Sequence, residues 1–530
     1  MEYVLTYFDT VSVQDYIFSS NKLKHIIGAS ALVHQAANDW VFGVLQSLGK
    51  TNVNPDGIIE EETHIDQPDV SSELIYAGGG NAVILFKPGF HTKFARLLSL
   101  KIFTEAPGLD FVICHDLIKW DPPADELRAK LNTLIWKASI KKQNRPNSAL
   151  LLGLGVTILC PFTGKPAAGR NSDNLRVSSE ILAKEKAVPY ANQRLAKEFD
   201  DPDNPSHKRD YLFDLNEIEG EQKGSYMAVV HCDGTDVGKR IKTFSEKPEN
   251  ADNREFITQI RAFSDSIKRA SKSALKATIE HLEKLTETNP PVVNLVKDTK
   301  LPFRPVVFGG DDITFVCDGM IALPLAAYHL EQLYLPQNNL TDKHPIFARS
   351  GVAVVKSHFP FSQAYSIAED LNKNARHYAK EYAKEIDDAA PPTALDWYFT
   401  SSGPVLDLAR IREDKYTIDD DHKLMMRPLV VGDKALDPFR SWASFLSTIS
   451  ALRNKLSQTQ RKYLFENLVQ GPHKFREVVE AKNLSLPKIP GHSLVEKYGW
   501  IAEISAYHDP LEAIDFLNWK ICEATWQITP

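Results

Sequence analysis

Val306-Val307-Phe308-Gly309-Gly310-Asp311-Asp312-Ile313-Thr314-Phe315-Val316 decides the fold: two apolar runs flank Gly-Gly-Asp-Asp and read as a β-hairpin with two carboxylates at its tip. Adjacent anions raise the cost of ionising one another, so the pair calls for a compensating cation, most naturally a divalent metal. Gly309 and Gly310 suit a tight turn and leave room for a bulky anionic ligand, such as a nucleoside triphosphate, near the main chain.

Working outward, Tyr226 to Cys232 is an apolar strand ending at Asp233. The segment Asn253 to Leu285 carries Phe256, Ile260, Phe263, Ile267 and Ala274 on one helical face. A helix from Ala322 to Leu335 and a strand from Ile346 to Val355 follow the hairpin, completing the βαββαβ order of a ferredoxin-like unit. In that topology the first and third strands are antiparallel neighbours, which carries Asp233 to the hairpin tip beside Asp311 and Asp312. Three acids at one sheet edge make a two-metal cradle. His231, on the same strand, reads as a structural histidine.

The same order occurs earlier: strand Val4 to Phe8, helix Ile27 to Leu48, hairpin Leu74 to Phe86, helix Phe90 to Phe103 and strand Asp110 to His115. Here the tip is Gly78-Gly79-Gly80-Asn81, with Gly80 and Asn81 in place of the two acids and Asp9 as the one remaining carboxylate. A lone carboxylate is a poor two-metal site, so this copy is expected to shape a nucleotide pocket. The fold class is therefore α+β, with a first domain over 1–160, a connector over 161–222 with a helix from Ser178 to Phe199, the acid-bearing domain over 223–400, and a linker and helical bundle over 401–530. In the bundle, Trp442, Phe445, Leu446, Ile449 and Leu452 share a face, and further helices are expected from Thr459 to Val469 and Leu511 to Thr525.

At 530 residues the chain exceeds one ordinary core, and its formal charge of −7 gives no general reason to bind bare nucleic acid. The basic run Lys137, Lys141, Lys142 and Arg145 reads as a solvated helix end. Five scattered cysteines without a C-x-x-C pair indicate neither a disulfide framework nor a cysteine-rich zinc site, and Cys160-Pro161-Phe162-Thr163 reads as a structural turn. With a strand at the start and no long apolar segment, the expectation is a cytoplasmic protein with no membrane contact.

The segment Val13-Gln14-Asp15-Tyr16-Ile17-Phe18 leading to Ile27-Gly28-Ala29-Ser30, the Gly78-Gly79-Gly80-Asn81 tip, Asp233-Gly234-Thr235-Asp236-Val237-Gly238-Lys239 and Gly309-Gly310-Asp311-Asp312 occur in that order. Together they make the chain resemble, over nearly its whole length, the large polymerase/cyclase subunit of type III CRISPR effector complexes, particularly the type III-B branch. The resemblance implies two palm-like domains and synthesis of 3′–5′ linked, usually cyclic, oligoadenylates from ATP after the complex captures target RNA. It implies that Asp233, Asp311 and Asp312 hold two magnesium or manganese ions and are catalytic. Ser30, Gly79, Gly80, Gly234, Gly309 and Gly310 would border the nucleotides. Partners would be the other effector subunits, guide RNA and target RNA, with a small helical subunit on the C-terminal bundle.

The chain departs from the family pattern at Thr235 and Val237, which replace residues more often Asp or Asn and Met. Ala375-Arg376 stands for the family's alanine-lysine pair, making Arg376 a triphosphate clamp, with Lys356 a weaker candidate. No HD nuclease domain is expected, because the first palm-like strand starts at Val4 and the doublets His115-Asp116 and His508-Asp509 read as structural. Three other readings stay open: adenylate transfer to an acceptor such as S-adenosylmethionine, a mainly scaffolding subunit, and cyclic dinucleotide synthesis of the GG-D/E-E-F kind, against which Ile313 after the two acids counts.

Overall fold

The computed structural model describes residues 1–120, 124–144, 155–201, 208–214, 217, 226–245, 252–297, 299–385, 391–400, 407–432, 438–489, 499–501 and 503–528. Arg145 of the basic run lies outside them. In chain order the first unit contains β1 (Glu2–Val11), α1 (Val13–Ile17), α2 (Leu23–Ala37), α3 (Asp39–Leu48), β2 (Lys50–Thr51), β3 (Val70–Gly78), β4 (Asn81–Phe86), α4 (Phe90–Glu105), β5 (Asp110–Lys119) and α5 (Ala124–Gln143). The single helix expected from Ile27 to Leu48 is two helices, broken at Asn38. The sheet order β2-β3-β4-β1-β5 sets the first strand between the hairpin and the last strand, as the ferredoxin-like topology requires. Asp9 pairs in register with Asn81, so the end of β1 lies beside the glycine tip.

The connector holds a small hairpin, β6 (Gly169–Arg170) and β7 (Arg176–Val177), and α6 (Ser179–Phe199). Helix α6 crosses α2 so closely that a Cβ on Gly28 would stand 1.7 Å from the Lys184 carbonyl oxygen. Only glycine permits that crossing. The buried Lys184 ammonium completes it, donating to the Tyr16 carbonyl at 2.7 Å and pairing with Glu180 at 2.7 Å.

The second unit contains β8 (Tyr226–Gly234), α7 (Val237–Ser245), α8 (Asn253–Glu287), β9 (Phe303–Val307), β10 (Ile313–Asp318), α9 (Gly319–Tyr334), β11 (Ala348–Lys356), α10 (Phe361–Glu385), β12 (Ala394–Phe399), α11 (Leu408–Tyr416) and β13 (Leu429–Val430). Its sheet runs β13-β12-β11-β8-β10-β9. The core βαββαβ order is as expected; the strand pair β12 and β13 extends it, with β12 parallel to β11 through the α10 crossover. Helix α10 covers one face, where a Cβ on Gly351 would meet the Ala368 carbonyl at 2.0 Å, and α9 covers the other, Gly319 lying against Val354. Coverage on both faces explains why β8, β11 and β12 are nearly continuous apolar runs rather than alternating ones.

Helices α12 (Trp442–Lys455), α13 (Gln458–Leu468), α14 (Pro472–Ala481), α15 (His508–Ala513) and α16 (Trp519–Trp526), with the short pair β14 (Trp500–Ile501) and β15 (Ile504–Ser505), complete the chain. Trp442, Phe445, Leu446, Ile449 and Leu452 are all buried, and Phe445 packs on Trp397 of β12 at 5.2 Å, so the helical part shares the core of the second sheet. Among the described residues no helix is long and apolar enough to cross a membrane.

Candidate active site between the two glycine tips

Pairing of Ile313 with Cys232 brings the turn before β10 to the end of β8. Gly234 makes the close approach possible: a Cβ there would lie 2.9 Å from the Asp311 Cβ. Asp311 and Asp312 thus stand beside Asp233 although far from it in sequence. Both glycine tips line one cavity of about 360 Å³, which includes Ser30, Gly79, Gly80, Gly309, Gly310, Asp311 and Asp312. Asp233 does not line it directly. In this conformation the oxygens of the three acids are not all within 4.8 Å of one another, since among the described residues only His508, Asp509 and Glu512 form such a group.

Burial, then repulsion from Asp233, pushes the Asp311 and Asp312 carboxyls up to about 7. The Asp312 side chain is 44% exposed as a whole, yet its Oδ1 is enclosed without a hydrogen bond. That oxygen stands 3.3 Å from His231 Nδ1, but the imidazole supplies no charge: burial pulls it down to about 4, and Nδ1 meets Thr314 Oγ1 at 3.0 Å. An enclosed oxygen without a donor, beside carboxyls that resist ionisation, fits a hard divalent cation such as magnesium or manganese.

Asp233 already has a cation. Arg349 of β11, opposite it in register and buried, donates to Asp233 Oδ2 and to Thr235 Oγ1, the latter at 2.6 Å. One carboxylate oxygen of Asp233 is thereby committed to the protein. Thr235, which departs from the family pattern, serves here to orient Arg349. A charged residue inside the apolar stretch Ile346 to Val355 was the sequence signal for this pair.

The other expected ligands fare differently. Ser30 lines the cavity, but its hydroxyl donates to the Val306 carbonyl at 2.6 Å, tying α2 to β9. Arg376 does not line the cavity; with Lys380 it lies against Asp236, at 3.3 and 3.2 Å. Lys356 is corrected outright. Strand β11 is antiparallel to β8, so Lys356 pairs with Tyr226 at the strand end opposite Asp233, about 23 Å away at strand rise. It cannot reach this site.

Cations that local sequence patterns did not reveal line the cavity instead: Arg194 of α6, and Lys268 and Lys272 of α8. Arg194 Nη2 donates to the Phe308 carbonyl at 2.8 Å while its guanidinium stacks on the Phe308 ring at 3.9 Å. Lys268 donates to the Ala77 carbonyl at 2.8 Å, next to the first tip. Tyr365 of α10, edge-on to His231 at 5.4 Å, stacks on Phe18 at 3.6 Å, which docks the end of α1 against the second unit.

At the first tip Asp9 is held by Lys142 at 2.5 Å and by the Tyr7 hydroxyl at 3.1 Å. Lys137, bound to Asp116 at 2.7 Å, and Lys141, bound to the Ile113 carbonyl at 2.9 Å, are exposed, as a solvated helix end would have them. His115 meets Thr6 Oγ1 at 2.9 Å. The cluster around His508 is centred on buried Arg427, which lies 2.6 Å from Glu512 and 3.3 Å from Asp509, while Asp509 also accepts the Met426 and Arg427 amides. The guanidinium fills the cationic role there.

No protein-family profile matches the sequence, and no curated protein does. Solved structures match in fold. Csm1 from T.onnurineus aligns with a TM-score of 0.51 at 14% identity over 98% of this chain and 70% of its own length. A Csm1-Csm4 cassette in complex with AMPPNP gives a TM-score of 0.51 at 15% identity, covering 97% of this chain and 69% of that one. A Csm1-Csm4 cassette with pppApApA gives 0.50 at 13%, with the same coverages. The resemblance drawn from the motifs is thus matched in three dimensions: over nearly its whole length this chain has the fold of Csm1.

Proposed function

We propose that this chain is an ATP-dependent nucleotidyltransferase that builds 3′–5′ linked oligoadenylate, cyclic in its final form, with release of pyrophosphate. The observation that carries the reading is the single cavity bounded by both glycine tips, with acids on one and cations from α6 and α8 around it. Two nucleotides that react with each other need such a shared space, one tip for each. The structures of like fold that were solved with AMPPNP and pppApApA support adenine nucleotides as the occupants.

Asp311 and Asp312, with the uncommitted oxygen of Asp233, would hold magnesium or manganese. Two such ions, when bound, would activate a ribose 3′-hydroxyl and neutralise charge on the leaving group. The rest is done by the chain itself. The glycine tips let triphosphates reach the main chain, and Arg194 and Lys268 offset phosphate charge, while Lys272 is paired with Glu198 at 2.5 Å. His231 is neutral, engaged with Thr314, and is not needed as a base.

In this reading the subunit works within a type III effector, with guide RNA and sister subunits, and target RNA shifts the two units toward the arrangement that aligns both nucleotides. A small helical subunit would dock on the C-terminal helices. The test is pyrophosphate release and product mass from the assembled complex with ATP, magnesium and target RNA. Release that depends on target RNA and is lost in Asp311→Ala/Asp312→Ala is expected; release unchanged by that double substitution refutes the reading. Addition of S-adenosylmethionine distinguishes transfer to that acceptor. The commitment of Asp233 to Arg349 favours a second reading, a chiefly scaffolding subunit, for which no turnover at all would be found.

A further inference from the structure

A second cavity, of about 380 Å³, lies between the connector and the outer edge of the second sheet. Its lining includes Asn192 of α6, Arg304 of β9, Lys300, and Arg209, Tyr211 and one acid, Asp210, from the strap that runs beside Leu301 to Phe303. It is a different space from the candidate active site.

Three residues of that lining each carry one enclosed donor without a partner: Arg209 Nη1, Tyr211 Oη and Arg304 Nε. Each residue is otherwise firmly placed. Arg209 forms a two-pronged pair with Glu283 at 2.7 and 2.8 Å, which leaves Nη1 over. Arg304, only 3% exposed, donates to Asn192 Oδ1 at 2.6 Å and to the Leu212 carbonyl at 3.4 Å, and makes no ion pair with any carboxylate among the described residues. Tyr211 is 5% exposed. Lys300 spends its ammonium on Glu217 at 2.7 Å.

Leaving one enclosed polar group unmatched costs about 1–3 kcal/mol, more for a charged one, so three around one polar space are not explained by packing. All three are donors and two are guanidinium groups. An acceptor with several oxygens and negative charge matches these donors, and the forked geometry of guanidinium suits a phosphate group. We propose that this cavity is a binding site for a small phosphate-bearing ligand, held by Arg304, Arg209 and Tyr211. Burial pulls the Arg304 guanidinium down to about 10, and Asp210, the acid in the lining, offsets that only in part. Because Asn192 and Arg194 lie on one helix, and Arg304 begins the strand that leads to Gly309, occupancy would brace both elements that meet at the Phe308 carbonyl.

The test is calorimetric titration of the full chain with inorganic phosphate, pyrophosphate, AMP and acetate, in EDTA so that metal-dependent nucleotide binding is silent. Phosphate binding in the millimolar range or tighter is expected, weakened about tenfold by Arg304→Lys and about three- to tenfold by Tyr211→Phe, the loss of one hydrogen bond in each case. Lys356→Ala, at a residue that lines neither cavity, should leave it unchanged. AMP tighter than phosphate identifies a nucleotide as the source; equal affinities identify free phosphate. The proposal is overturned if neither phosphate nor pyrophosphate binds up to about 10 mM, if acetate binds as well as phosphate, or if folded Tyr211→Phe and Arg304→Lys bind as wild type. None of these outcomes depends on catalytic turnover.

Discussion

Replacing Gly28 by alanine tests how the connector is seated. The added Cβ would lie 1.7 Å from the Lys184 carbonyl oxygen and 2.6 Å from its carbon, both backbone atoms on a helix that cannot yield as a side chain would. Ordinary contact begins at roughly 3.2–3.5 Å, so α2 and α6 must part by about 1.5 Å. That opens the Lys184 contact with the Tyr16 carbonyl and draws Arg194 from the Phe308 carbonyl, now 2.7 and 2.8 Å. Overpacking costs about 1–3 kcal/mol and a strained charged hydrogen bond adds to it, which gives a destabilisation of about 3 kcal/mol, or roughly a hundredfold in the folding equilibrium. The matched control is Gly43→Ala in α3, where a Cβ meets nothing within 4 Å; it should be neutral or stabilise by about 0.5–1 kcal/mol. Urea unfolding followed by tryptophan fluorescence compares the two. Equal stabilities would refute the close crossing and with it the placement of Arg194 at the tip.

Further outcomes follow from the site. Manganese affinity should rise with pH through about 7 and level off above it, because the raised Asp311 and Asp312 carboxyls must lose protons to bind, falling about tenfold per pH unit below that for each proton released; calorimetry showing a flat profile from pH 6 to 8 would contradict the coupling. The sign reverses for the metal-free fold, whose stability contribution from these two groups is greatest below their unfolded range of about 4 and is lost as pH rises through about 7. Arg349→Met should destabilise the chain by about 2–3 kcal/mol, less than for a fully buried pair because a third of Asp233 is exposed, as read by thermal unfolding. Lys356→Ala should leave affinity for an ATP analogue unchanged, since the residue pairs with Tyr226 at the far strand end.

Much of this was legible from the chain. The two βαββαβ orders follow from apolar runs, helical spacing and glycine tips, and local topology alone brings Asp233 to Asp311 and Asp312. What escaped depends on contacts between units. Arg194 and Lys268 lie on long, charge-rich helices where nothing local separates a cavity cation from a solvated one, and only tertiary packing turns them toward the tips. The hydroxyl of Ser30 is spent on Val306, an exchange no motif encodes. Lys356 was misplaced because nearness to the last strand was taken without its direction; antiparallel pairing puts the end of that strand away from the acids. Strand β12 was missed because Ala394 to Phe399 is a short apolar run whose parallel partner is set by the α10 crossover.

The account rests on the acids gripping divalent ions where nucleotides meet. The most direct measurement is a crystal structure of the chain with manganese and a non-hydrolysable ATP analogue, using the anomalous signal of the metal. Manganese bound between Asp311, Asp312 and the free oxygen of Asp233, with phosphates over the Gly309-Gly310 turn, is the expected result. Nucleotide bound elsewhere, or a site without manganese while Arg349 keeps Asp233 to itself, would contradict it.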